Sequence, residues 1–237
     1  MRPAKSDLEN ALFEFIGEPC ELTPVSGGDS AFAFAMVTQK KKSFLKVYNG
    51  NSHSEIVESE LSGLKALRES GVRTPKVIAH HFTNTFSYLN MEWVEEGGSV
   101  KNEDLVTQLV RLHKNSSSRF GFHHSNFVGS LSQNNEWDEN WSSFWWAQRI
   151  EPLWNELRLS SDTYLIRCMT EIESNKERLF PIEAPALLHG DLWGGNVLAA
   201  KNQESYLIDP GVYFGHREMD LAMLTLFSDF RDVLELY

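Results

Sequence analysis

The segment His189-Gly190-Asp191-Leu192-Trp193-Gly194-Gly195-Asn196, followed after a short apolar run by Leu207-Ile208-Asp209-Pro210-Gly211, carries the strongest chemical signal in the chain. An Asp, then an Asn five residues later, then a second Asp behind a strand-like run, supplies two things that phosphoryl transfer requires. One is an acceptor for the incoming hydroxyl proton; the other is a pair of hard oxygen ligands for a Mg²⁺ that bridges phosphates. Asp191 is the candidate base, and Asn196 and Asp209 are the candidate metal ligands. A glycine-rich loop with Asp and Asn caps is the structural alternative. It requires three separated residues to match the pattern by accident.

Further toward the N-terminus, Lys46 lies in Phe44-Leu45-Lys46-Val47-Tyr48. Strand alternation puts it on one face with Phe44 and Tyr48. An ammonium among large apolar side chains needs a partner, because desolvating an unpaired charge costs several kcal/mol. The alternative for Lys46 is an exposed edge strand. The helical pattern over 55–69 offers a partner: Ile56, Val57, Leu61, Leu64 and Leu67 share an apolar arc with Glu60 in its middle, while Glu58 falls on the opposite face. A strand lysine and an inward glutamate of this kind hold nucleotide phosphates in kinases. Upstream, Val25-Ser26-Gly27-Gly28-Asp29-Ser30 precedes an apolar strand. Paired glycines let backbone N–H groups approach phosphate oxygens, although taken alone they read first as a plain turn before a hairpin.

Composition sets the frame. The chain has 237 residues, 41% apolar and 23% charged, with 22 Lys and Arg against 33 Asp and Glu, for a net charge of −11. Such an excess repels a phosphate backbone, so nucleic acid is not expected as a partner. The longest apolar run, Ala31 to Val37, falls far short of the roughly 20 residues needed to span a bilayer. The N-terminus lacks an apolar signal core, which predicts a cytoplasmic protein. Cys20 and Cys168 fit neither a disulfide framework nor a zinc pattern.

The periodicity predicts a short helix over 6–16 capped by Ser6 or Asp7, with Leu8, Leu12 and Phe15 as its stripe and Gly17 as its stop. A hairpin follows (31–37 and 44–48), then the 55–69 helix, then apolar runs at 76–80 and 86–94. Glu95-Glu96-Gly97-Gly98 marks a boundary, dividing the chain into 1–95 and 96–237. Beyond it, helices are expected at 102–114, 137–158, 162–179 and 217–236, interrupted by runs at 187–198 and 205–208. The expected class is α+β in two lobes, with a cleft between them: an antiparallel-sheet N-lobe carrying one key helix, and a mainly helical C-lobe.

These motifs resemble the protein-kinase-like superfamily, and specifically the fructosamine kinase (ketosamine-3-kinase) family. HGDLWGGN and LIDPGVYFGHREMDLAM carry the resemblance, together with SGGDS, FLKVY, ESELSGLKAL, MEWVEEG, FGFHHSNFVGS and NWSSFWWAQRIEPLW in the family's order. Aminoglycoside and choline kinases share the HGD with its later Asn and Asp; Trp193 and the GHRE segment with Asp220 are more specific. The resemblance implies a protein-kinase-like fold and the use of ATP and Mg²⁺. It implies that Lys46 and Glu60 hold the phosphates, that Gly27, Gly28 and Ser30 cover them, and that Asp191 is the base. Asn196 and Asp209 become the metal ligands, and backbone groups around Glu92 and Val94 bind adenine beside Met91 and Trp93. It further implies phosphorylation of the 3-hydroxyl of amine-linked sugars such as fructosyl-lysine or ribulosyl-lysine, whose phosphorylated adducts then fall apart, repairing glycated protein.

The residues also narrow the acceptor. Gly190 stands where regulated protein kinases place an arginine, Pro210 replaces a switching phenylalanine, and few residues separate Asp209 from the next helix. A constitutively assembled site for a small hydroxylated molecule is expected, with Trp193 as a candidate substrate wall. Trp137, Trp141, Phe144, Trp145, Trp146 and Trp154 are expected in the core, His123 and His124 at the surface or as caps, and His216 and Arg217 in structural roles. Family members run further, with C-terminal helices lining the acceptor site, so the C-terminus reads as shortened. A bared stripe of Leu221, Leu224, Phe227 and Leu234 would make a homodimer. An aminoglycoside- or choline-like acceptor, or a nucleotide-binding module without catalysis, are the competing readings.

Overall fold

The computed structural model describes residues 5–25, 31–49, 54–83, 86–157, 162–226 and 230–237. Helix α1 (Lys5–Ile16) is followed by β1 (Cys20–Pro24), β2 (Phe32–Thr38), β3 (Lys42–Asn49), α2 (Ser54–Glu69), β4 (Val77–Phe82) and β5 (Phe86–Glu92). The five strands form one antiparallel sheet in the order β1-β2-β3-β5-β4. Lys46 therefore pairs with Ala33 on one side and Leu89 on the other, at the middle of the sheet rather than on an edge.

Alternation along β3 explains the two layers. Leu45 and Val47 face α1 and pack with Leu8, Leu12, Leu22, Phe34 and Met36. Tyr48 faces α2 and packs with Val57, Leu64, Leu89 and Met91. Each such buried aliphatic contributes about 1.5–3 kcal/mol relative to exposure. The end of α2 joins a different cluster: Leu67 packs with the C-terminal core, so this one helix belongs to both layers.

That second core is built around α3 (Asn102–His113), whose Leu105, Leu109 and Leu112 recur at helical spacing and are fully buried. It also takes in α4 (Trp141–Trp145), β8 (Ala186–Leu188), β9 (Val197–Ala199), β10 (Ser205–Leu207), β11 (Tyr213–Gly215), α7 (Glu218–Leu226) and α8 (Arg231–Leu236). The other described elements of this half are the hairpin β6 (Asn126–Val128) and β7 (Leu131–Gln133) and the helices α5 (Glu151–Glu156) and α6 (Thr163–Asn175), neither of which has a fully buried residue. Asp162 caps α6 by accepting from the Tyr164 and Leu165 N–H groups at 2.9 and 3.1 Å.

Several expectations need correction. The helix expected over 137–158 starts only at Trp141, where Asn140 accepts from Ser143 N–H at 2.8 Å, and a π-helical turn at Trp146–Ile150 separates α4 from α5. Trp137 therefore lies outside the helix, beside Phe214. Trp141 and Phe144 are core residues as expected. The expected 187–198 run is two strands, β8 and β9, with the 189–196 loop between them. Of the helix expected over 217–236, the described residues form α7 and α8, and Phe230 before α8 is not helical. Of its stripe, Leu224 is buried, Leu234 is exposed, and Phe227 lies outside the described residues. Helix α1 begins at Lys5, which places Ser6 and Asp7 inside its first turn, and Phe15 is largely exposed against His81. Among the described residues, no helix is long and apolar enough to cross a membrane.

Candidate active site

Lys46 is 5% exposed and Glu60 7%, and the ammonium donates to Glu60 Oε1 at 2.7 Å and to Asp209 Oδ1 at 2.5 Å. Three residues remote in sequence thus meet at one point. Burial disfavours the ammonium, but the Asp209 and Glu60 carboxylates outweigh it and hold Lys46 well above the usual lysine range. Burial pushes Glu60 upward, and Lys46 opposes that. Tyr48 donates to Glu60 Oε2 at 2.6 Å. Strand alternation puts Tyr48 on this face, but only the packing of α2 onto the sheet shows which oxygen it meets.

Asp209 adopts φ +56°, a left-handed conformation that costs a non-glycine residue about 1–3 kcal/mol and clusters at functional sites. The loop around it is stitched to the 189–196 loop by backbone bonds: Gly211 N–H to His189 O at 2.9 Å and Ile208 N–H to Asn196 O at 3.1 Å. The His189 ring is held at both nitrogens: Nε2–H donates to Ile208 O at 3.0 Å while Nδ1 accepts from Asp191 N–H at 3.3 Å, and burial lowers its pKa.

Asn196 spends its amide N–H groups on Asp191, at 2.8 Å to the backbone oxygen and 3.0 Å to Oδ2. Its Oδ1 is therefore turned the other way. Burial raises the Asp191 carboxyl above the ordinary aspartate range, and His189 and the Asn196 amide only partly oppose it. Trp193 is 40% exposed, and its ring lies over Gly195, where a Cβ would approach Cη2 at 2.2 Å. The loop thus needs glycine at 195 to seat the indole.

Asp220 braces this loop from below. It is 1% exposed, and accepts from His189 N–H at 2.7 Å, Gly190 N–H at 3.0 Å and His113 Nε2–H at 3.1 Å. Burial alone would raise its pKa, but these donors and the nearby histidines hold it below the aspartate range. His113 in turn accepts from the Tyr237 hydroxyl at 2.8 Å, a link that sequence reasoning missed because it joins positions 124 residues apart. His216 is buried, with Nε2–H toward Pro181 O, and Arg217 pairs with Glu183, which are structural roles. His124 does more than sit at the surface: Ser62 on α2 donates to its Nε2 at 2.6 Å.

Two glycine contacts lock the site. Gly190 has φ +82°, and a Cβ there would stand 2.0 Å from Gly211 O, which explains why no arginine occupies this position. Gly63 lies one helical turn beyond Glu60, and a Cβ there would stand 2.8 Å from Pro210 Cγ. Pro210 therefore presses directly against the helix that carries Glu60.

The residues expected around adenine lie at the end of β5. Met91 is buried on the α2 side. Glu92 donates its N–H to Lys76 O at 2.8 Å and accepts the Lys76 N–H through its carboxylate at 3.2 Å. The Trp93 ring lies under the Lys42 ammonium at 3.6 Å, and among the described residues the Val94 backbone makes no hydrogen bond. Gly27, Gly28 and Ser30 lie outside the described residues. Among the described residues no cluster of three His, Cys, Asp or Glu is preformed for a metal. One carboxylate and one amide oxygen suit Mg²⁺, which takes few protein ligands and completes its shell with phosphates and water.

Comparison with known proteins identifies the family and the fold. A probable ketoamine kinase of Enterococcus faecium is 34% identical over 218 residues, which cover 89% of this chain and 76% of that protein. A chloroplastic protein-ribulosamine 3-kinase of Arabidopsis thaliana is 34% identical, covering 84% of this chain and 63% of that one. A crystal structure of a candidate fructosamine-3-kinase from Thermobifida fusca superposes with a TM-score of 0.84 at 26% identity, covering 99% of this chain and 84% of that one. An aminoglycoside phosphotransferase, solved with ADP and hygromycin B, shares the fold alone at 15% identity and TM-score 0.64, over 92% of this chain and 75% of its own. The fructosamine kinase family model matches residues 5–236, and with it the sequence resemblance becomes membership: this chain belongs to the fructosamine kinase family of ATP-dependent phosphotransferases.

Proposed function

We propose that the protein transfers the γ-phosphoryl group of ATP to the 3-hydroxyl of a ketoamine, of the fructosyl-lysine or ribulosyl-lysine type, and so initiates removal of the sugar from the amine. The observation that carries this reading is the meeting of Lys46, Glu60 and Asp209 at one point, stitched by backbone bonds to the loop of Asp191 and Asn196. In it, residues 1–95 hold the nucleotide and 96–237 supply the base, the metal ligands and the acceptor site.

Lys46, oriented by Glu60, would hold the nucleotide phosphates. Asn196 Oδ1 and the Asp209 carboxylate would hold Mg²⁺. When bound, the ion would neutralise the charge that develops during transfer. Asp191 would accept the proton of the attacking hydroxyl through its carboxylate, which the Asn196 amide orients. Glu92 and Val94 would bind adenine through backbone groups between Met91 and Trp93, and Trp193 would present its open face to the sugar. Substrate names of relatives support a ketoamine acceptor. Two free cysteines suit a reducing, cytoplasmic compartment, and the net charge of −11 argues against a nucleic-acid partner.

The test is ³¹P NMR of the full chain with Mg-ATP and a panel of fructosyl-lysine, ribulosyl-lysine, an aminoglycoside and choline. A new phosphate-ester resonance with either ketoamine is expected. Transfer only to the aminoglycoside or choline would replace the acceptor, and transfer to none would refute the enzyme reading.

A further inference from the structure

Tyr48 is two residues beyond Lys46 on the same face of β3 and is 1% exposed, inside the apolar layer of Val57, Leu64, Leu89 and Met91. Its hydroxyl donates to Glu60 Oε2 at 2.6 Å while Lys46 donates to Glu60 Oε1 at 2.7 Å. One strand thus fixes both oxygens of a single carboxylate. The ammonium, however, is divided: it also donates to Asp209 Oδ1 at 2.5 Å. Asp209 is the group that the proposed reaction needs for the metal ion.

The division creates a geometric problem. A lysine on a flexible four-carbon stem follows whichever carboxylate is better placed. Were Asp209 to serve a metal ion instead, Lys46 would keep its aim only if Glu60 did not rotate with it. We propose that Tyr48 is a positioning residue for the nucleotide, its hydroxyl pinning Glu60 so that Lys46 stays directed at the phosphates when Asp209 leaves it. This rests on the nucleotide reading given above. A hydroxyl–carboxylate bond of this length is charge-assisted, roughly twice as strong as a neutral one. Burial and the Glu60 charge hold the phenol protonated, so it remains a donor. A phenylalanine would fill the same apolar space; only the hydroxyl distinguishes the two.

The test is calorimetric titration of the unsubstituted chain and Tyr48→Phe with Mg-ATP and, separately, with AMP, alongside thermal unfolding. AMP lacks the β- and γ-phosphates and reports the adenine site alone. Tyr48→Phe should weaken Mg-ATP about tenfold, the loss of one hydrogen bond to a charged group, and leave AMP within about twofold. A lower unfolding midpoint with Mg-ATP affinity unchanged would make Tyr48 merely structural and overturn the proposal. Equal weakening of both nucleotides would overturn it too. Should Tyr48→Phe not fold because Glu60 Oε2 loses its donor, Tyr48→Phe/Glu60→Gln is compared with Glu60→Gln alone. No further loss of Mg-ATP affinity is expected there, and a further tenfold loss would refute the pinning role. If the unsubstituted chain bound AMP but not Mg-ATP, the nucleotide reading itself would fail, and this proposal with it.

Discussion

Gly190→Ala tests whether the two site loops are as tightly interlocked as their geometry states. The substitution places a Cβ at φ +82°, where an alanine pays about 1–2 kcal/mol for left-handed backbone. The same Cβ stands 2.0 Å from Gly211 O and 2.7 Å from its carbonyl carbon, so backbone must move. Overpacking of that kind costs about 1–3 kcal/mol. The sum, about 2–5 kcal/mol, is a large share of the 5–15 kcal/mol that keeps a typical domain folded. Relief by moving Gly211 would open its bond to His189 O and displace Asp209, two residues earlier, from Lys46. Urea unfolding should therefore show a midpoint lowered by about 1–2 M, with turnover lost even where the chain remains folded. Gly129→Ala is the control: its φ is +58° and a Cβ there meets nothing within 4 Å, so it pays only the backbone cost. Equal midpoints for the two variants would refute the interlocking.

Gly63→Ala should gain about 1 kcal/mol of helix propensity yet lose at least as much against Pro210, and lower turnover more than stability because α2 carries Glu60. Steady-state kinetics checks this, and Pro210→Ala in the same chain should restore part of the rate. Asp220→Asn should destabilise the protein by about 3 kcal/mol, since it removes the buried charge and leaves one accepting oxygen where two now serve three buried donors. Because the native Asp220 pKa is depressed, its contribution is complete above the unfolded value near 4 and is lost as pH falls through the lower native value. Acid unfolding should accordingly be flatter for Asp220→Asn than for the unsubstituted chain. Burial raises Asp191, and a base must be ionised to act, so kcat/KM should fall with decreasing pH through a limb above the ordinary aspartate value of about 4. A pH–rate profile with its limb below that value would contradict the assignment.

Much of the site was legible because it rests on local periodicity. Alternation placed Lys46 and Tyr48 on one strand face, the helical arc singled out Glu60 over Glu58, and spacing linked Asp191, Asn196 and Asp209. What escaped the sequence depends on tertiary approach. That Lys46 occupies a central strand follows from the pairing of β3 with β5, which brackets α2 and β4 in sequence. The shared ammonium, the Tyr48 hydroxyl's partner, the Gly63–Pro210 contact and the His113–Tyr237 link all join separate elements. The π-helical turn at Trp146–Ile150 shifts the helix register without any Gly or Pro inside it to announce the change, which is why the aromatic stretch read as one helix. Phe15 shows the limit of a stripe argument: its spacing fits the buried face of α1, yet it lies on His81 at the sheet's margin.

Single-turnover ³¹P measurement of Asp191→Ala with saturating Mg-ATP and a ketoamine bears on the chemistry most directly. Nucleotide should bind as before, and the rate of phosphate-ester formation should fall by about 10²- to 10⁴-fold, the contribution of a positioned base. Ester formation at the unsubstituted rate would show that Asp191 takes no proton in this reaction.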